Sequence, residues 1–90
     1  MPNDPKVDVT LRHGSSQHSA SFNVNNKVEK IRDEGGKAFK LDAKLLPDYT
    51  LHLELPDGSK QQLATTQKIS ATGIRDGSII VFQPPDGVQG

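Results

Sequence analysis

Apolar and polar positions alternate with a period of two in three stretches of the chain, and each stretch predicts a half-buried β-strand. Val7, Val9 and Leu11 alternate with Asp8, Thr10 and Arg12. Ala20, Phe22 and Val24 alternate with Ser19, Ser21 and Asn23, and Tyr49, Leu51, Leu53 and Leu55 with Thr50, His52 and Glu54. Only turn material, His13-Gly14-Ser15-Ser16-Gln17, separates the first two stretches, so they predict a β-hairpin. After Asn25-Asn26 the period changes. Val28, Ile31, Gly35, Ala38 and Phe39 recur at helical spacing, while Lys27, Lys30, Asp33, Glu34, Lys37 and Lys40 fall mostly on other faces. Asn26 followed by Glu29 has the spacing of a helix N-cap, its side-chain oxygen accepting from a first-turn amide.

Gly35-Gly36 is the weak point of this helix, since each glycine costs about 1 kcal/mol relative to alanine in a helix interior. Either the helix ends there, or Gly35 sits where a strand passes too close for a side chain. The phase of Ala38 and Phe39 predicts a helix that continues to about Phe39. Residues 42–48 form a connector, and Pro56-Asp57-Gly58-Ser59 is a strong turn signal. Lys60, Gln61, Gln62 and Leu63 can pair back as a short strand, and Ile69 and Ile74 are core anchors in a polar segment. Arg75-Asp76-Gly77-Ser78 turns again before Ile79-Ile80-Val81-Phe82, which is apolar on both faces and so predicts a central strand. The order β-β-α-β-β-β predicts an α+β fold, a mixed sheet packed on one α-helix. Residues 1–6 read as a flexible lead-in, residues 7–83 as the domain, and residues 84–90 as a flexible tail that Pro84 and Pro85 hold extended.

The composition narrows the function. A chain of 90 residues makes one domain with one small core, and with 4% aromatics and no Trp that core is aliphatic around three Phe. Eleven basic and eleven acidic residues balance to a formal charge of zero, which offers no basic field for a nucleic acid. No apolar run approaches the roughly 20 residues of a membrane span. The N-terminus has neither the cationic nor the apolar region of a secretory signal. Cysteine is absent, which removes disulfides, thiolate nucleophiles and Cys-ligated zinc together. A cytoplasmic monomer without cofactor is the expectation.

No catalytic constellation stands out. His13 and His18 flank the first turn and His52 sits on a strand, without a carboxylate cluster at ligand spacing, and all read as solvated. Ser15-Ser16 beside His13 lacks a buried acid to orient a base. Gly35-Gly36 lies inside the helical pattern and not between a strand and a helix, as a phosphate loop requires. The expectation is a protein that is not an enzyme.

Several of these residues carry a resemblance that spans residues 7–83. Val7-x-Val9-x-Leu11, Val28-x-x-Ile31, Leu63, Ile69-Ser70, Ile74 and Asp76-Gly77-Ser78 follow one another much as in ubiquitin. The chain resembles the ubiquitin-like (β-grasp) family. That resemblance implies surfaces, not side-chain chemistry, as the seat of function. Ubiquitin carries a shallow apolar patch on its open sheet face; here the matching third-strand positions hold His52 and Glu54, and Gln83 stands where another patch residue is expected. With Ile80 and Phe82 in the buried phase, Ile79 and Val81 point outward. They form either a different, smaller apolar patch or simply the outer face of a central strand. His52, Glu54, Ile79 and Val81 are thus the candidate partner-binding residues.

Conjugated members of the family usually end in Gly-Gly, whereas this sequence ends Pro84-Pro85-Asp86-Gly87-Val88-Gln89-Gly90. Two roles are implied. One is a small protein modifier of a prokaryotic, ubiquitination-like pathway, conjugated by an isopeptide bond through Gly90. Its partners would be an E1-like activating enzyme, an E2-like carrier enzyme and a deconjugating peptidase. The other is a non-covalent protein-binding module or a component of a bacterial secretion machine.

Overall fold

A computed structural model describes residues 5–85. Five strands, β1 (Lys6–His13), β2 (Ser16–Asn23), β3 (Thr50–Glu54), β4 (Lys60–Leu63) and β5 (Ser78–Gln83), accompany one helix, α1 (Val28–Ala38). Short 3₁₀ turns at Leu46–Asp48 and Ile69–Ala71 complete the connections. The strands form one sheet in the order β2-β1-β5-β3-β4. The β1–β5 pair is parallel and the other three are antiparallel, so the sheet is mixed and β5 occupies its centre. The apolar content of β5 on both faces predicts this position correctly.

The hairpin is tighter than the five-residue turn material in the sequence. His13 pairs with Ser16, leaving only Gly14 and Ser15 in the loop. Gly14 takes a φ of 59°, a conformation glycine adopts without steric penalty. β1 also begins one residue before Val7, at Lys6, and Val24 N–H donates to Pro5 C=O at 3.0 Å. Part of the expected lead-in is therefore tied to the sheet. The Asp76-Gly77 turn sets the parallel pairing. Asp8 N–H donates to Asp76 Oδ1 at 2.9 Å, and Gly77 N–H donates to Asp8 C=O at 2.8 Å.

The start of α1 corrects one expectation. Asn26 is not the N-cap; Lys27 holds that position and offers no side-chain hydrogen bond. The exposed first-turn amides find backbone acceptors in the loop after β4 instead. Val28 N–H donates to Gln67 C=O at 2.8 Å and Glu29 N–H to Thr65 C=O at 3.1 Å. Asn26 C=O accepts from Ile69 N–H at 2.9 Å, so this residue serves as a strut between the two segments. A distant loop thus does what a capping side chain usually does.

The far end of the helix falls one residue before Phe39, which is its C-cap. Leu41 N–H donates to Gly36 C=O at 2.9 Å and Lys40 N–H to Lys37 C=O at 3.3 Å, with Lys40 at a φ of 55°. These are the two bonds of a Schellman motif.

The core lies between α1 and the inner sheet face. Leu11, Val28, Ile31, Leu51, Ile69 and Ile80 are fully buried, each side chain contributing about 1.5–3 kcal/mol on leaving water. Ile69 and Ile74 are both buried, as the sequence predicts. Of the two readings of Gly35, the close approach holds. A Cβ at Gly35 would overlap the ring of Phe82 on β5, which is itself held edge-on by Phe39 at a centroid distance of 5.7 Å. The neighbouring Gly36 faces a softer obstacle, the end of the half-buried Leu46 side chain at 2.7 Å from a built Cβ.

Alanine at the two glycines should therefore have unequal effects. Gly35→Ala gains about 1 kcal/mol of helix propensity but forces a packed ring to move, at about 1–3 kcal/mol. A net loss of about 1 kcal/mol or more is expected by urea denaturation. Gly36→Ala should stay within about 0.5 kcal/mol of the parent, because Leu46 can change rotamer. Equal losses at both positions would show that Phe82 does not constrain the helix.

Candidate functional site

Side chains that leave the core phase of the sheet emerge on its outer face. On β5 these are Ile79 and Val81, both half-buried, while Ile80 and Phe82 point into the core. On β3 they are Thr50, His52 and Glu54, also half-buried. Val81 is in register with Arg12 on β1 and with His52 on β3, and Ile79 with Thr10 on β1. Residues in register across a sheet share a face. The structure thus brings His52, Glu54, Ile79 and Val81 together on one surface, and Gln83 lies exposed at its end.

Arg12 was not among the candidates, yet it organises this surface. Its Nη2 donates to Glu54 Oε2 at 3.0 Å, with 31% and 28% of the two side chains exposed. β1 and β3 lie on opposite sides of β5, so the ion pair crosses the central strand. It runs diagonally, since Arg12 is opposite Val81 and Glu54 lies beyond the Leu53–Ile80 pair. A charged clasp therefore spans the two apolar side chains of β5. His52 is fixed separately, its Nε2 at 2.9 Å from Thr50 Oγ1 on the same strand. The sequence holds one clue to Arg12, its outward parity with Thr10 on the first strand, but no clue to a partner 42 residues away.

The other histidines are less solvated than the sequence suggests. His13 is half-buried, its ring 5.7 Å from that of Phe39 and 5.9 Å from that of Tyr49. His18 Nε2 lies 3.4 Å from Glu34 Oε2 on α1. Among the described residues no three His, Cys, Asp or Glu side chains are grouped so as to hold a metal ion. At Asp57, Ser59 Oγ donates to Oδ1 at 2.6 Å and Ser59 N–H at 2.9 Å, which lowers the pKa of this carboxyl and holds the β3–β4 turn. Gly90, the candidate conjugation residue, lies outside the described residues.

Comparison with solved structures agrees with this geometry. The full chain superposes on 97% of the C-terminal ubiquitin-like domain of mouse tubulin-specific chaperone e, at 10% identity and a TM-score of 0.77. Its match to Trypanosoma brucei tubulin-binding cofactor B covers 93% of this chain and 100% of that one, at 18% identity and a TM-score of 0.76. A third, the ubiquitin-like domain of an Arabidopsis thaliana protein, shares 20% identity over 94% of this chain and 83% of that one, at a TM-score of 0.69. The fold is a ubiquitin-like β-grasp. No protein family and no curated protein matches the chain in sequence. Among the described residues no helix of this ubiquitin-like domain is long and apolar enough to cross a membrane.

The clasp makes a modest contribution to stability. A pair about one-third exposed is screened, and side-chain ordering offsets part of its attraction. A double-mutant cycle with Arg12→Ala and Glu54→Ala, read by urea denaturation, should give a coupling energy of about 0.2–1 kcal/mol that shrinks as salt is raised. Zero coupling at low salt would show that the two side chains do not engage in solution.

Proposed function

We propose that this ubiquitin-like domain is a non-covalent protein-binding module whose contact surface is the outer sheet face around Ile79 and Val81. One observation carries the reading: two β-branched apolar side chains sit half-buried beneath an Arg12–Glu54 pair that crosses their strand. An ion pair this exposed is cheap to break, so a partner that offers its own charges can open it and bury the two side chains. His52 and Thr50 add polar contacts at the rim, where they give orientation more than affinity.

The structural neighbours suggest which proteins to try first. Two are named for tubulin, and a third match is to a chain in the crystal structure of ATBAG1 in complex with HSP70; it covers 90% of this chain but 41% of that one, at a TM-score of 0.69. Titration of the isotope-labelled chain with tubulin, and separately with HSP70, should perturb the amide signals of Arg12, His52, Glu54, Ile79 and Val81. The Ile79→Thr/Val81→Thr variant keeps β-branching and fold but should weaken binding at least tenfold, since burying two apolar side chains is worth more than 1.4 kcal/mol. Undiminished binding by that variant would rule this face out as the contact.

A second reading makes the chain a prokaryotic modifier conjugated through Gly90. β5 is followed at once by Pro84 and Pro85, which lack the N–H that would extend its ladder. In this reading an E1-like enzyme joins the Gly90 carboxylate to the AMP of ATP and releases pyrophosphate. A thiol of an E2-like carrier then displaces AMP, and a target amine displaces the thiol. A deconjugating peptidase would reverse the last bond. Incubation with a candidate activating enzyme and ATP should yield a Gly90-linked adduct by mass spectrometry, and the adduct should vanish when Gly90 is deleted. An adduct that survives the deletion would assign the linkage elsewhere.

A further inference from the structure

The two edges of the sheet differ in how they are protected. At one edge β4 has four residues, KQQL, and begins with Lys60. At the other, β2 has eight, SQHSASFN, paired with β1 from Asn23 to Ser16 without interruption. β2 contains no Lys, Arg, Asp, Glu, Pro or Gly and no bulge, the devices by which edge strands avoid pairing with other chains.

The backbone of β2 shows which groups are left over. Both backbone groups of Asp8 point toward β5, its N–H bonded to Asp76 and its C=O to Gly77 N–H. Ser21 lies opposite Asp8, so that pair exchanges no backbone hydrogen bonds, although Ser21 Oγ donates to Asp8 Oδ1. In an antiparallel ladder the pattern alternates. Ser16, His18, Ala20 and Phe22 therefore bond to β1, and the N–H and C=O groups of Gln17, Ser19 and Ser21 aim away from the sheet. Asn23 is next in the series, but its C=O already accepts from Asn26 N–H at 2.9 Å.

We propose that β2 pairs antiparallel with β2 of a second copy of this chain, about a two-fold axis through Ser19, joining two sheets into one. An antiparallel two-fold pairing stands perpendicular to the sheet and must match residues of the same face. A centre at Ser19 satisfies this and sets Gln17 opposite Ser21 of the other copy, so every outward amide and carbonyl of the three residues is bonded, about six bonds in all. A centre at Ala20 would instead set Gln17 against Asn23, whose C=O is already engaged. The side chains also suit the Ser19 centre. Serine meets serine on the outer face, His18 meets Ala20 and Ser16 meets Phe22 on the inner face, and no like charges face each other at neutral pH. The surface is separate from the face around Ile79 and Val81, and the inference does not rest on that reading. An edge contact is small, so the association belongs to the weak, transient class.

The test is sedimentation of the full chain from low concentration to about 1 mM, where weak contacts register. The mass should rise toward twice the monomer value, and in hydrogen exchange the amides of Gln17, Ser19 and Ser21 should slow as concentration rises. Ser19 is exposed and its N–H lies outside the β1 ladder, so Ser19→Lys leaves the fold intact while placing two ammonium groups face to face at the axis. Ser19→Pro removes an outward donor by a different route. Both variants should remain monomers throughout. A parent chain that stays monomeric at about 1 mM overturns the proposal, as does a dimer that either variant leaves unchanged or one whose slowed amides lie elsewhere. Pairing of β2 only with a strand of a different protein also overturns it.

Discussion

The closeness of α1 to β5 at Gly35 governs the rest of the molecule. The Phe82 ring occupies the space where a side chain at Gly35 would be, so helix and central strand meet without a spacer. Phe39, one turn further along, then meets the same ring edge-on, and Ile31 and Val28 are fully buried one and two turns back. A larger residue at Gly35 would lift the helix from the sheet along this whole line. The glycine that weakens the helix as an isolated segment is thus what lets it bury its apolar stripe, and packing outweighs propensity here.

With the helix covering the inner face, the outer face of the same sheet is left to other purposes. β5 sits between β1 and β3, so it presents Ile79 and Val81 with neighbours on both sides. The neighbours that matter are Arg12 and Glu54, which lie on different strands and join across the one between them. The arrangement keeps two apolar side chains partly covered without committing them to the core. The long, uncharged β2 edge lies on the other side of β1, so the sheet carries two separate surfaces, one built from side chains and the other from backbone groups.

Much of this was legible along the chain. The parity of Ile80 and Phe82 against Ile79 and Val81 separated core from surface on β5, and the doubly apolar run placed it centrally. His52 and Glu54 fell on the outer face by the same parity. Arg12 escaped notice because an ion pair between side chains 42 residues apart depends on strand order, which periodicity does not encode. Asn26 misled for a related reason. Its spacing to Glu29 is local, whereas the carbonyls that satisfy the first turn of α1 come from Thr65 and Gln67.

The sequence by itself determined the elements and which residues of each are apolar, because alternation and helical spacing are properties of neighbouring residues. Only the tertiary structure decided what those elements do to one another: that Gly35 faces a ring, that a loop caps the helix, and that Arg12 reaches Glu54. Each of these is a contact between segments far apart in the chain, fixed when burial of one common core selects a single arrangement of strands around the helix.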